Sequence, residues 1–366
     1  MKSTLNLLHA VAGPTTVAVL RGAVGEVWRR IFAVAGAYQP IPGDEQVLIC
    51  TDVIRFKGDA PLQIRSGAHE QSRMAFRSAP PQCENVENLV TTPLGGGWLS
   101  GKLHQRYSAG VPGIRMLTED RTPKRIIDSG YVVQSAHHDT YGDWVSEYLC
   151  PVVRALPLNA PLFLPRRLSA QGYVRRDLKE WGVDWKPVEH PLQITHAKVL
   201  RQQKYFVHFP REDAALLHRL WPRSAKPARP GGIVYLSRRG DLSQVAHRTY
   251  PSALIEALVE ARGGRILLTA TASKADYEMA AEFSETLIFD HGSAIYNTIG
   301  WPVRRIVEIV NDGWWNNAFL MLADAIGIQD ITLLRAGLGD AHIRKRLETL
   351  FNSPIVAPVE FSEGLK

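Results

Sequence analysis

The sequence predicts an α/β protein whose two halves each contain a parallel sheet flanked by helices. Short apolar runs alternate with amphipathic helical patterns from residue 131 to residue 334, and strands that alternate with helices are typical of parallel sheets. A basic, proline-rich stretch between residues 199 and 230 predicts a linker near residue 207. We therefore expect an N-terminal domain over residues 1–207 and a C-terminal domain over residues 208–366, with the last helix as a candidate to pack back on the first domain.

The predicted elements follow from apolar periodicity and from proline and glycine at element ends. In the first half they are a strand at 131–133, a helix from 141 that ends before Pro157, a strand at 162–164 and a helix at 171–181 ended by Gly182. In the second half they are strands at 233–236, 266–269, 287–289, 306–310 and 331–334, and helices at 251–262, 274–283, 317–325 and directly after Gly292. This order is Rossmann-like, and two such halves predict ligand binding in a cleft between them.

Composition narrows the class of protein and its partners. The length of 366 residues suits two domains, and no run approaches the roughly 18 consecutive apolar residues of a membrane span. Three widely spaced cysteines and the lack of a compact signal peptide favour a reducing, cytoplasmic location. The net charge of +7 favours anionic partners, which include phosphorylated donors, lipid phosphates at a membrane surface and nucleic acid.

Two adjacent arginines follow the first predicted strand of the second half. Arg238 and Arg239 come directly after Ser237, and Gly240 follows them. Ligands of open parallel sheets bind beyond the carboxyl ends of the strands, and paired guanidinium groups offer permanent charge and bidentate hydrogen bonds to a diphosphate. The alternative interpretation is a solvated basic loop.

A second polar segment, from Asp290 to Asn297, follows the strand at 287–289. Gly292 would let the backbone approach a ligand, and Ser293 would open a helix whose amide groups bind an anion. Asn297 would lie one turn further along, on the same face as Ser293. The alternative is that His291 and Asn297 only cap and bridge loops.

A single acid, Glu308, lies within the apolar strand at 306–310. A carboxylate near a strand end could accept hydrogen bonds from a ribose diol, whereas the alternative is an edge-strand acid that faces water.

The first half offers a separate group of candidates for acid–base chemistry. Asp143 and Glu147 are four residues apart, so both project from one face of the predicted helix, and His138 precedes it. A carboxylate or histidine there could act as a general base. Thr140 followed by Asp143 also matches a capping box, so capping alone is the alternative for Asp143.

Four of these segments together resemble glycosyltransferase family 61, including its bacterial capsular-polysaccharide members. They are Tyr141-Gly142-Asp143-Trp144, Leu236-Ser237-Arg238-Arg239, His291-Gly292 with Asn297, and Glu308. Their order and spacing match the family from residue 130 to residue 325. Many members have His in place of Asp143 and Asn in place of Thr140. Asp143 would then replace that His as general base, with Glu147 and His138 in reserve.

The resemblance implies a GT-B architecture, in which two Rossmann-like domains face a central cleft. It also implies an inverting, metal-independent transfer of a sugar from a nucleotide-sugar donor to a glycan or lipid-linked acceptor in surface polysaccharide biosynthesis. No resident cofactor or metal and no nucleic-acid partner is implied, and the Asp-x-Asp metal signature of many other glycosyltransferases is missing. A basic surface would suit peripheral contact with the inner membrane.

The donor-binding residues implied by the resemblance all belong to the second half. Arg238 and Arg239 would contact the diphosphate, His291 and Ser293 the phosphates or the sugar, and Glu308 the ribose. The full set expected around the donor is Arg238, Arg239, His291, Gly292, Ser293, Asn297 and Glu308.

Two other classes of protein compete with this interpretation. A Rossmann-type NAD(P)-dependent oxidoreductase would fit the order of elements, but the sequence lacks the G-x-G-x-x-G turn and an acid about 20 residues after it. A basic nucleic-acid-binding protein would fit the charge, but no recognition motif is found and aromatic residues do not interleave with the basic runs.

Overall fold

The fold is that of a computed structural model with two sheets. The residues that the structure describes are 38–39, 50–59, 71–78, 82–109, 114–134, 140–155, 160–201, 217, 218, 220, 221, 224, 226–240, 249–312, 315 and 318–356. Within these ranges, no helix is both long enough and apolar enough to cross a bilayer.

The strands and helices are numbered here in chain order. The strands are β1 Tyr38–Gln39, β2 Cys50–Gly58, β3 Gln71–Ser78, β4 Gln82–Thr91, β5 Gly97–Leu99, β6 Lys102–His104, β7 Arg125–Gln134, β8 Leu162–Pro165, β9 Trp185–Val188, β10 Leu192–Arg201, β11 Ile233–Ser237, β12 Arg265–Leu268, β13 Thr286–Asp290, β14 Arg305–Val310 and β15 Asp330–Arg335. The α-helices are α1 Ile114–Leu117, α2 Tyr141–Asp143, α3 Cys150–Ala155, α4 Arg166–Ser169, α5 Gly172–Glu180, α6 Ser252–Glu260, α7 Lys274–Ala280, α8 Ala318–Ala325 and α9 Asp340–Phe351. A π-helical stretch, Trp144–Leu149, joins α2 to α3, and 3₁₀ helices cover Gln105–Tyr107, Ala281–Phe283, Ser293–Thr298 and Ala336–Leu338.

The second sheet has the order β12-β11-β13-β14-β15-β2-β3; its first six strands are parallel to one another, and β3 is antiparallel to β2. The chain passes from β11 to β12 on one side and then returns to β13 on the other side of β11. The order of the five strands from β11 onward is therefore the doubly wound 2-1-3-4-5 order, and it reverses between β11 and β13.

Helices cover both faces of this sheet because alternate residues of each strand point to opposite sides. On one face, Tyr235, Val307 and Ile309 share a buried core with Ile255 of α6 and Ile343 of α9. On the other face, the aromatic ring of Phe319 in α8 packs edge-on against Phe289, with ring centroids 5.6 Å apart. Strands β11, β13, β14 and β15 are buried along nearly their whole length, as expected for a parallel sheet covered on both sides, whereas β12 at the edge is partly exposed.

The first sheet is mixed, with the order β1-β6-β5-β4-β10-β7-β8-β9. Parallel pairs join β10 to β7, β7 to β8 and β8 to β9, whereas β4 is antiparallel to both β10 and β5. The α/β class is thus confirmed, but the prediction of a second Rossmann-like sheet in the first half is wrong. The antiparallel hairpins of residues 82–104 lie in the first third of the chain, where the apolar periodicity is weak.

The chain divides into two compact units whose bounds differ from a single break near residue 207. The first unit comprises Met1–Val47 with Pro80–Lys204, and the second comprises Leu48–Ala79 with Tyr205–Lys366. Strand β2 joins the second unit by pairing with β15, at Thr332 opposite Lys57.

The last described helix belongs to the second unit. Ile343 and Leu347 of α9 are fully buried in the core formed with α6 and the sheet. Packing of this helix on the first domain stays a prediction. The strands predicted in the second half are confirmed within about two residues at each end, which is the usual uncertainty of element boundaries.

Candidate anion-binding site at the carboxyl edge of the second sheet

The carboxyl edge of the second sheet, meaning the side where its parallel strands end, brings two predicted segments together. Strand β11 ends at Ser237 and β13 ends at Asp290, and these neighbouring strands flank the point where the strand order reverses. Loops at such a point diverge to opposite faces of the sheet and leave room for a ligand. Arg238 and His291, each the first residue after its strand, therefore lie side by side because of the topology.

The buried carboxylate of Asp290 holds the start of the loop after β11 and lies at the start of the loop after β13. Its Oδ2 accepts hydrogen bonds from the backbone N–H of Arg238 at 2.9 Å and from the hydroxyl of Ser252 at 3.2 Å, and its Oδ1 accepts from the Tyr235 hydroxyl at 2.8 Å. Burial raises the pKa of Asp290 to about 6, although these three donors and the Arg238 charge favour the carboxylate. Burial, with Asp290 next to it, also raises the pKa of Tyr235 well above its usual value.

A second buried carboxylate, Glu256 of α6, holds Arg239. Glu256 Oε1 accepts from the Ser237 hydroxyl at 2.7 Å and from Arg239 Nε at 3.0 Å. The side chain of Arg239 is 59% exposed, whereas that of Glu256 is 10% exposed. Because Nε faces the carboxylate, the two Nη groups lie at the outer end of the arginine side chain.

Arg238 is held more tightly than Arg239 and is buried. Its Nη1 donates to the backbone oxygen of His291 at 3.0 Å, and the Tyr250 hydroxyl donates to the same oxygen at 3.2 Å. A Cβ atom on Gly292 would lie 2.9 Å from Nη1 and 3.2 Å from Cδ of Arg238. The glycine is thus explained by the packing of Arg238 over it, and the interpretation of Arg238 as part of a solvated basic loop is wrong.

The side chains of His291 and Glu308 contact each other inside the fold. His291 Nδ1 and Glu308 Oε1 form a short hydrogen bond, and Trp315 Nε1 donates to the same oxygen at 3.0 Å. Both side chains are enclosed, at 0% and 1% exposure, and the ring of Phe319 lies 4.7 Å from the imidazole. Glu308 lies in a central strand, so the alternative of an edge-strand acid that faces water is wrong.

Ser293 and Asn297 lie on a 3₁₀ helix of six residues instead of an α-helix. A 3₁₀ helix has three residues per turn, so residues three apart are aligned and Ser293 and Asn297 are not on one face. This part of the prediction is wrong because six residues are too few for a helical period to be measured. Asn297 Nδ2 donates to the Ala294 oxygen at 3.3 Å.

The predicted capping box at the start of α2 is confirmed. The Thr140 hydroxyl oxygen accepts from the Asp143 N–H at 3.1 Å, and Asp143 Oδ2 accepts from the Thr140 N–H at 3.3 Å and from its hydroxyl at 2.7 Å. Glu147 is buried in the π-helical stretch. The role of either carboxylate as a base stays a prediction, and His138 lies outside the described residues.

Trp144, within the segment that resembles the glycosyltransferase family, is fixed by a partner that the sequence did not indicate. Its Nε1 donates to Asp177 Oδ2 of α5 at 2.9 Å, and the Trp144 ring stacks on Tyr148 at 6.1 Å. Burial raises the pKa of Asp177, although hydrogen bonds from Arg176 and Trp144 favour its charged form.

Another unexpected carboxyl group, Glu119, lies in the first unit next to a glycine-rich turn. It accepts a short hydrogen bond from the Thr92 hydroxyl and one from the Leu94 N–H at 3.4 Å. Burial raises the pKa of Glu119 to about 7, while the Thr92 and Leu94 donors and the charge of Arg167 act in the opposite direction. Its partners come from the turn after β4, 25 and 27 residues earlier in the chain.

Asp290 and Glu256 are functional candidates at the carboxyl edge to which sequence reasoning gave no role, although Asp290 opens the predicted polar segment. Asp290 is adjacent to His291 and could have been found as a polar residue that ends an apolar strand. Glu256 gave no such signal, because an acid inside an amphipathic helix usually faces solvent. Together the two carboxylates balance the two formal positive charges of Arg238 and Arg239. An anion at this edge would therefore be bound by oriented N–H donors and not by a large net positive charge.

The described residues contain no group of three or more His, Cys, Asp or Glu side chains that could hold a metal ion. The guanidinium N–H groups at the carboxyl edge, oriented by buried carboxylates, can recognise an anion.

The fold and this edge define an α/β protein with a doubly wound parallel sheet and a candidate anion site at its point of strand reversal. The chain matches no protein-family model. A search among curated proteins likewise gives no match.

Proposed function

We propose that the protein is an inverting glycosyltransferase that binds the diphosphate of a nucleotide-sugar donor at the carboxyl edge of its second sheet. The observation that carries this proposal is the meeting of Arg238, Arg239 and Gly292 where the strand order reverses. Arginine suits a diphosphate because its planar fork can bind two phosphate oxygens at once and keeps its charge at any physiological pH.

The ordered resemblance to glycosyltransferase family 61 supports the particular reaction. In that reaction the acceptor hydroxyl attacks the anomeric carbon from the face opposite the diphosphate, and the bond from that carbon to the diphosphate breaks. The hydroxyl proton goes to a base of the first unit, for which Asp143 is the first candidate. Arg238 and Arg239 stabilise the charge that develops on the leaving diphosphate.

Donor binding is the first test of the proposed function. Thermal unfolding of the full chain is followed with UDP, GDP, CMP and dTDP sugars, because a ligand that binds the folded state raises its apparent stability. We expect one nucleotide class to raise the melting temperature of the wild type and not that of Arg239→Ala. No shift with any donor would contradict the proposal.

Transfer is tested separately on the variants Asp143→Ala and Thr140→Ala. Both lose one partner of the capping box, but only the first loses the carboxylate. If Asp143 is the base, its loss abolishes transfer and leaves donor binding nearly intact, while Thr140→Ala keeps measurable transfer. Equal activity of the two variants would remove Asp143 from the mechanism. Repeating transfer with a chelator tests metal independence.

A further inference from the structure

We propose that Glu256 is a positioning residue that orients the guanidinium of Arg239 toward a phosphate group without touching the ligand. This inference rests on the proposed binding of a diphosphate at the carboxyl edge and names a residue to which neither the sequence motifs nor the resemblance gave a role. It begins from a contact inside one unit, between α6 and the loop that follows β11.

Glu256 contacts only the Nε side of the Arg239 guanidinium. Glu256 engages Arg239 through Nε, at 3.0 Å, and not through the Nη pair. An arginine bound at Nε keeps the end-on edge of its guanidinium, with one N–H from each Nη, available to form a bidentate pair with a phosphate. The side-chain exposures of 59% for Arg239 and 10% for Glu256 place the cation outside and the carboxylate inside.

Glu256 is itself fixed, which a positioning residue requires. Its Oε1 also accepts the Ser237 hydroxyl, and the oxygen of that hydroxyl accepts the Arg239 backbone N–H at 3.2 Å. Backbone and side chain of Arg239 are thereby tied to the same two groups. The conformational entropy of a long arginine side chain is restricted before the ligand arrives, and this lowers the cost of ordering it on binding.

The carboxylate also offsets the charge of Arg239. Its negative charge should weaken the attraction of the edge for a small anion, while its oxygen provides the orientation. Replacing Glu256 by Gln separates the two effects, since the amide keeps an oxygen acceptor and loses the charge. Replacing it by Ala removes both.

A control ion pair lies at the amino edge of the same sheet, meaning the side where its parallel strands begin. Arg304 Nη1 contacts Glu285 Oε1 at 2.9 Å, with side-chain exposures of 43% and 13%. Glu285→Gln therefore removes one charge from a similar arginine–glutamate pair, with the same effect on net charge, at the end of the sheet remote from the proposed site.

The experiment measures the dissociation constants of inorganic pyrophosphate and UDP by calorimetry on the full chain. For Glu256→Ala we expect binding weaker by about tenfold, the factor that corresponds to the loss of one hydrogen bond of ordinary strength. Glu256→Gln should bind at least as tightly as the wild type, and Glu285→Gln should equal it. Urea unfolding of each variant verifies that it is folded.

A double-mutant cycle distinguishes positioning from a general structural effect. If Glu256 acts through Arg239, Glu256→Ala causes no further loss of affinity in the Arg239→Ala background. An equal loss in both backgrounds, or wild-type affinity in Glu256→Ala, overturns the inference while leaving diphosphate binding in place. Absence of any pyrophosphate or UDP binding by the wild type overturns the proposed function itself, and the inference with it.

Discussion

At the amino edge of the second sheet, where its parallel strands begin, Arg305 and Asp330 form a buried ion pair. At the carboxyl edge, by contrast, Arg239 is largely exposed and only its partner Glu256 is buried. Arg305 Nε lies 3.0 Å from Asp330 Oδ2, and its Nη groups donate to backbone oxygens at Leu350, Ser353 and Pro354. Asp330 also accepts the Val356 N–H at 3.1 Å.

The two edges thus use the same side-chain types for different purposes. The amino-edge pair ties the segment after α9 to the sheet, and its hydrogen-bonding capacity is used by the protein's own backbone. At the carboxyl edge, Asp290 accepts the backbone N–H of Arg238, and Glu256 accepts Nε–H of Arg239. The outer end of the Arg239 side chain remains exposed. This difference shows that a buried ion pair does not by itself indicate a ligand-binding site. A binding site also needs hydrogen-bond donors that face the solvent.

The largest effect is expected from Arg305→Ala at the amino edge. The change removes the buried cation of Asp330 and leaves it only the partly exposed Lys57 ammonium, 3.4 Å from its Oδ1. Breaking a buried ion pair of this kind destabilises a protein by about 3 kcal/mol. Urea denaturation measures the loss, and pyrophosphate binding by the remaining folded protein should match the wild type. A folded variant with impaired binding would show that the two edges are not independent.

Gly292→Ala should cause the next largest effect, because the new Cβ would lie 2.9 Å from Arg238 Nη1 and 3.2 Å from its Cδ. Arg238 must move and release the His291 oxygen, at a cost of about 1–3 kcal/mol. Chemical denaturation measures this cost, and calorimetry with pyrophosphate measures the accompanying loss of affinity. Gly172→Ala is the control, since a Cβ there meets nothing within 4 Å. Wild-type stability and affinity in Gly292→Ala would contradict the described packing.

Asp290→Asn should change the pH dependence of stability. Burial raises the folded-state pKa of Asp290 to about 6, from a usual value of 3.8. The folded state therefore holds this proton more tightly, so the stabilising contribution is complete below pH 4 and is lost as the pH rises through 6. Between pH 5 and pH 8 the free energy of unfolding of the wild type should fall by about 1.4 kcal/mol relative to that of Asp290→Asn, because the Asn side chain does not titrate.

The measurement is urea unfolding of both proteins at pH 5 and pH 8. A stability difference between wild type and Asp290→Asn that is the same at both pH values would mean that Asp290 does not titrate in this range. Other carboxyl groups cancel from the comparison because the two chains differ only at residue 290.

The smallest effect is expected from Arg304→Ala. Its pair with Glu285 is half exposed, and the Glu285 carboxylate keeps a hydrogen bond from the Gly231 N–H at 2.6 Å. Pairs of this kind contribute about 0–1 kcal/mol, and salt screens them. Denaturation at low and high salt should give nearly equal stabilities for variant and wild type. A loss comparable to that of Arg305→Ala would remove the distinction between exposed and buried pairs at this edge.

The strands of the second unit were predictable because each is a short apolar run bounded by proline, glycine or polar residues. The sequence also located Arg238 and His291 directly after such runs. It did not indicate that β2 and β3 join this sheet, because Lys57 pairs with Thr332 across most of the chain. Nor did it reveal the mixed first sheet, since hairpins of weak periodicity resemble loops.

The candidate site, like the fold, was predictable from the sequence only in part. The cations were found from the sequence, whereas their partners were not: Glu256 is 17 residues from Arg239, and Asp290 is 52 residues from Arg238. Glu308 was predicted to meet a ribose, and in the structure it contacts His291 and Trp315. Whether a lone acid faces a ligand or a buried histidine depends on which strands are neighbours.

By itself, the sequence determined where strands and helices lie in the second unit and which charged residues follow each strand, because local periodicity and chain-breaking residues act over a few positions. The tertiary structure alone decided the strand order that makes β11 and β13 neighbours, the burial of Asp290 and Glu308, and the side of Arg239 that Glu256 engages. These depend on contacts between residues far apart in the chain, which form only when the sheet is assembled and water is excluded from it.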